Sequence, residues 1–119
     1  MKRKQIAAGN WKMNTTLKDG TKLASAIARK TKKEDALVIL SPPFTHLASV
    51  KAVIKSNSRV KLAAQNCYEK EGGAFTGAIS VDMIKSTGAD YVILGHSERR
   101  PIFNESDKLI ASKVNLVIS

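Results

Sequence analysis

The 119-residue chain has a single cysteine, Cys67, so no internal disulfide can form, which fits a reducing compartment. No tract of proline, glycine or repeated polar residues is present to hold a segment disordered, and the length is that of one domain. No window approaches the roughly 20 apolar residues of a membrane span. The N-terminal stretch MKRKQIAAGNWKMN is basic but lacks the apolar run of a secretory signal. A cytoplasmic globular protein with no membrane partner is expected. The Asn-x-Thr at Asn14 and the Asn-x-Ser at Asn104 are then coincidental matches to a glycosylation signal. Acidic residues are also scarce, 10 against 20 Lys and Arg, for a net charge of +10. That imbalance invites a nucleic-acid reading, yet dense basic clusters occur only in MKRK and RKTKK. The other lysines, among them Lys18, Lys22, Lys51, Lys55, Lys108 and Lys113, recur at helical intervals beside apolar positions, as on solvated helix faces. No nucleic-acid partner is expected.

What is present is a pattern whose period changes repeatedly. KQIAAGN reads as a short strand. Thr16, with Asp19 three residues later, opens a helix whose Leu23, Ala24, Ile27 and Ala28 share one face. ALVILS (36–41) is a continuous apolar run, as in a strand covered on both sides, and Pro42 and Pro43 stop it. A second helix carries Leu47, Val50, Val53 and Ile54, and VKLAAQ (60–65) is a third strand. After the loop CYEKEGGAFTG, a short helix from Ser80 ends near Gly88, and DYVILG (90–95) is a fourth strand. Ser106 caps a last helix with Leu109, Ile110, Val114 and Val117, and the chain stops inside that pattern with no stop signal, as if cut.

Repeated strand-helix units imply an α/β fold with parallel strands and crossover helices, and in such sheets function gathers beyond the C-terminal strand ends. Asn10, Trp11 and Lys12 follow the first strand, and His96, Ser97 and Glu98 follow the fourth. Its place just past a buried strand favours an anion-binding Lys12 over a plain surface lysine. His96 fits a hydrogen-bonded structural histidine and a catalytic one equally well. Glu98, Arg99, Arg100 and Glu105 alternate in sign and are expected to form ion pairs. His46 is read as incidental. GGAFTG lacks the Gly-Lys-Ser/Thr that grips phosphate and magnesium, which excludes a P-loop.

The motifs AAGNWKMN, SPPFTHL, AAQNCYEKEGGAFTGAIS and YVILGHSERRPIFNESD, in this order, resemble the triosephosphate isomerase family over essentially the whole chain. The resemblance implies the first four βα units of a TIM (β/α)8 barrel, with residues 1–119 forming the N-terminal half of one domain and ending in the fourth helix. It implies a cofactor-free and metal-free isomerase of glycolysis and gluconeogenesis that interconverts dihydroxyacetone phosphate and glyceraldehyde 3-phosphate. Asn10 and Lys12 would bind the substrate, Lys12 holding its phosphate and stabilising enediolate charge. His96 would be the electrophile, and this family is itself the standard example of such a histidine kept neutral by a helix N-terminus. Glu98 would orient the surroundings of Lys12. The full-length protein would be a homodimer, with Gln65, Thr76 and the loop between them at the interface and with Arg99 and Glu105 helping to set it. The glutamate base, the lid and the later phosphate loops belong to the other half. A positioned base alone contributes about 10² to 10⁴ in rate, so no turnover is expected from this chain by itself. The competing expectation is a half-barrel interaction module that pairs with itself or with a complementary half.

Overall fold

The computed structural model describes residues 2–119. Strand β1 (Ile6–Asn10) leads to helix α1 (Leu17–Lys30), and β2 (Leu37–Ser41) leads through a 3-10 turn at Phe44–His46 to α2 (Leu47–Ile54). Strand β3 (Val60–Ala64) is followed by a long loop and α3 (Val81–Ser86). Strand β4 (Tyr91–Val92) is followed by the short α4 (Arg99–Ile102) and then α5 (Asp107–Ile118). All pairings are parallel and the strand order is β1-β2-β3-β4, which leaves β1 and β4 as open edges.

Register explains the division of the two faces. Val38 pairs with Val60 and Leu40 with Leu62, so these side chains share one face and meet Ala24, Leu47, Val50 and Ile54 from α1 and α2 in the core. Ile39 pairs with Lys61 on the opposite face, where both are only half-buried. The strand-two run is covered on both sides, since Leu37 and Ser41, on the face of Ile39, are as deeply buried as Leu40 on the other. Strand β4 is shorter than the expected 90–95 segment, although Asp90 N donates to Leu62 O at 2.8 Å and Ile93 N to Ala64 O at 2.8 Å, extending the ladder at both ends.

The expected helix starts are present. Thr16 accepts from Asp19 N at 3.3 Å, Ser80 from Met83 N at 3.2 Å and Ser106 from Leu109 N at 3.2 Å, each satisfying an orphan donor of the first turn. Gly88 has φ +87°, a left-handed position that ends α3. The short α4 was not expected.

Lys113 corrects the reading of that lysine as solvated. It is 4% exposed, and its ammonium donates to Glu105 Oε2 and to Asn66 Oδ1, each at 3.0 Å. Ile110, Lys113 and Val117 are spaced i, i+3, i+7, so Lys113 sits on the inward stripe of α5 and is admitted there because a carboxylate and an amide oxygen receive its charge. Conversely Val114, expected on that stripe, is 39% exposed. Cys67 is buried, and burial pushes its thiol up, so it is an inert packing group rather than a nucleophile.

Gly20 is where α1 touches the 3-10 turn. A Cβ there would lie 2.5 Å from His46 Cδ2. His46 is buried and cannot step aside without loss, because Nδ1 is 2.7 Å from Thr45 Oγ1 and Nε2 is 3.2 Å from Thr15 O. Alanine in mid-helix normally gains about 0.5–1 kcal/mol over glycine, but overpacking costs about 1–3 kcal/mol. Gly20→Ala should therefore lower the urea midpoint; a raised midpoint would contradict this packing.

Candidate active site

The C-terminal rim of the sheet is built from four strand ends. Asn10 closes β1, and the chain then turns through Lys12, whose φ is +57°. A long side chain reaches that left-handed region only under restraint. Asn10 Oδ1 accepts from Lys12 N at 2.9 Å, and Gln65 Nε2, just past β3, donates to Lys12 O at 2.9 Å. The same Gln65 nitrogen donates to Ser41 O at the end of β2, also at 2.9 Å. Asn14 Nδ2 caps Trp11 O at 2.8 Å, and Trp11 N donates to Ser41 O at 3.0 Å.

The fourth strand brings its own group to the same place. Gly95, at φ +63°, permits the turn in which Arg99 N bonds to His96 O at 2.8 Å. Glu98 N donates to His96 Nδ1 at 3.1 Å. Nδ1 therefore presents a lone pair, and in the neutral ring the proton sits on Nε2. Lys12 Nζ donates to Glu98 Oε1 at 2.6 Å, joining the first and fourth rims, while Glu98 Oε2 is 3.7 Å from His96 Nδ1. That hydrogen bond from Lys12, opposed by desolvation and aided by the Lys12 charge, holds the Glu98 carboxyl below the usual carboxylate range.

Asn10, Lys12, His96 and Glu98 line one cleft of about 200 Å³. Two larger hollows, about 440 and 450 Å³, lie elsewhere, one along β4 beside α3 and α5 and the other between α1 and β1. These border the unpaired edges; the first mixes Lys70 and Lys85 with Glu71, Asp82 and Asp90, and the second is mostly apolar, with neither holding a histidine. Among the described residues, Asn10 Nδ2 and His96 Nε2 make no protein hydrogen bond, and Lys12 commits its ammonium to one carboxylate only. No grouping of His, Cys, Asp and Glu suited to a metal occurs among the described residues.

The four residues expected at an interface are placed differently from one another. Thr76 is exposed near the tip of a loop closed at its base by Tyr68 N to Ile79 O at 2.8 Å, with Tyr68 and Phe75 ring centroids 4.9 Å apart. Gln65 is half-buried and spends its amide within the chain. Arg99 bonds through Nε to Glu105 Oε2, and Glu105 is 5% exposed. The sign alternation after His96 does produce ion pairs: Arg99 with Glu105 and Arg100 with Asp107. The tie from Gln65 to Lys12 and the burial of His46 had no sequence signal, since both connect residues distant along the chain.

Parallel strands in sequential order, each followed by helix, with donors gathered at the C-terminal rim, form the wall of a (β/α)8-type barrel. A sequence model of triosephosphate isomerase matches residues 5–119, and the chain belongs to that family. The triosephosphate isomerase of Cytophaga hutchinsonii is 48% identical over 120 residues, covering 98% of this chain and 47% of that protein. That of Porphyromonas gingivalis is 49% identical over 119 residues, with the same two coverages. That of Flavobacterium johnsoniae is 48% identical over 117 residues. The chain thus spans about half the length of the curated relatives it matches. No helix among the described residues is long and apolar enough to cross a membrane.

Proposed function

We propose that residues 1–119 are the N-terminal half of a triosephosphate isomerase barrel and carry the electrophilic and phosphate-holding part of its active site. The observation that carries this reading is the set of donors left free on one cleft: Asn10 Nδ2, the remaining N–H groups of Lys12, and His96 Nε2. In the reaction, a base takes a proton from C1 of dihydroxyacetone phosphate and returns it to C2, while a hydroxyl proton moves from O1 to O2. His96 Nε2–H donates to the oxygen on which enediolate charge develops. Lys12 holds the phosphate, and Asn10 donates to the same developing charge. Glu98 keeps the Lys12 ammonium in place.

Glu98 is the only carboxylate in contact with Lys12 or His96 among the described residues, and it is a poor base. Its carboxyl is held low, whereas a general base works best when its pKa is near the operating pH. The proton acceptor must come from the complementary half. The exposed Met13 (95%) and Phe103 (57%), which line the cleft, and Phe75 (40%), on the loop after β3, support the reading of the complete protein as a homodimer.

The test is to mix this chain with a separately made C-terminal half of the Cytophaga hutchinsonii relative and follow triose phosphate interconversion in a coupled assay. Turnover should appear on mixing, be absent from either half alone, and fall sharply with His96→Ala. Activity of this chain alone above its His96→Ala control would overturn the assignment of the base to the other half. A well-formed complex without turnover would overturn the isomerase reading and leave a pairing module.

A further inference from the structure

We propose that Gln65 is the positioning residue of the Lys12 ammonium, acting through the Lys12 peptide rather than by touching ligand. The inference rests on Lys12 being the phosphate-holding group, and its own observation is geometric. At φ +57° Lys12 occupies a backbone region that is strained for such a residue and persists only when its surroundings over-determine it. The N–H side of the residue is fixed locally by Asn10 Oδ1 at 2.9 Å. The carbonyl side is fixed by Gln65 Nε2, 53 residues away along the chain, at 2.9 Å. With both ends held, the direction of the Lys12 side chain follows, and its ammonium meets Glu98 Oε1 at 2.6 Å.

A primary amide is the group this place requires. Its nitrogen carries two hydrogens, and here they go to two carbonyls, those of Lys12 and Ser41. Ser41 O also accepts Trp11 N at 3.0 Å, so one side chain from the β3 rim locks the β1 and β2 rims together at the turn bearing Lys12. A glutamate of the same shape would offer no donor and would place a carboxylate against both oxygens. An interface role for Gln65 in a dimer would be additional, since the amide N–H groups are already committed within the chain.

The experiment uses nuclear magnetic resonance on this chain and needs no turnover. In the unmodified protein, scalar couplings through the hydrogen bonds should connect Gln65 Nε2 to the carbonyl carbons of Lys12 and Ser41. Their absence, or exchange of the Gln65 side-chain amide at the rate of a free amide, would overturn the proposal whether or not any variant folds. The Glu98 carboxyl is then titrated in the parent, in Gln65→Ala, in Lys12→Ala and in the double variant. Gln65→Ala should raise the Glu98 midpoint toward the ordinary carboxylate value, because the Lys12 hydrogen bond that lowers it is weakened. The same replacement should move nothing when Lys12 is already alanine. An unchanged midpoint in Gln65→Ala, or an equal shift in the two backgrounds, would reduce Gln65 to general support of the fold. Failure of the isomerase reading would leave these couplings intact, and failure of the couplings would leave that reading untouched.

Discussion

Lys12→Ala, in an isomerase reassembled from this chain and a second half, is expected to lower kcat/KM by about 10³- to 10⁵-fold. Loss of one preorganised donor at a developing charge costs about 2.7–4 kcal/mol. Loss of a hydrogen bond to a charged group such as the phosphate adds about 1.5–3 kcal/mol, and each 1.36 kcal/mol is a decade in rate. Part of the loss should appear in KM, because the phosphate is bound in the ground state as well, and part in kcat. Lys12→Arg should restore little, since the fork of a guanidinium cannot take the position that the ammonium holds 2.6 Å from Glu98. Steady-state kinetics of the reassembled enzyme decide the matter. A loss below tenfold for Lys12→Ala would show that the phosphate is held elsewhere.

Much of this site was legible because parallel strands convert sequence order into spatial order. Once β1 and β4 are recognised, the residues following each must share a rim, and Lys12 and His96 do line one cleft. The helix starts were legible for a local reason: Thr16, Ser80 and Ser106 each satisfy a donor three residues on. Groups that depend on distant partners were not. Lys113 reads as a surface lysine until Glu105 and Asn66 are known to lie against it. His46 looks incidental until Thr15, 31 residues earlier, is seen to meet its ring. Gln65 follows a strand like many polar residues, and only the folded chain brings it to the Lys12 carbonyl. Lys113 did leave a trace, its i+3 spacing from Ile110, but a charge on an apolar stripe is uninterpretable without its counter-charge.

Glu105→Ala should destabilise the chain by about 3–5 kcal/mol, the cost of leaving a buried partner charge uncompensated, against a total of about 5–15 kcal/mol for an ordinary domain. Glu105 Oε2 serves both Arg99 and Lys113, and Lys113 is almost fully enclosed. Removing the carboxylate leaves that ammonium with only the Asn66 amide oxygen. Replacing both members, Glu105→Leu with Lys113→Met, should cost much less, because apolar groups of similar volume need no partner. Acid should act through the same carboxylate. Burial alone would raise its pKa, but the hydrogen bonds from Arg99 and Lys113, with their charges, outweigh burial and hold it below the ordinary value of 4.5. A carboxyl depressed on folding contributes stability that is complete above the unfolded value and disappears as pH falls through the folded one. Glu98 is shifted in the same direction but is far more exposed, so solvent screens its share. Urea midpoints measured downward from neutral pH should therefore fall below about pH 4.5. In Glu105→Gln, which removes the titration, the fall should be shallower. An identical acid slope in parent and variant would show that the buried pair is not what acid breaks.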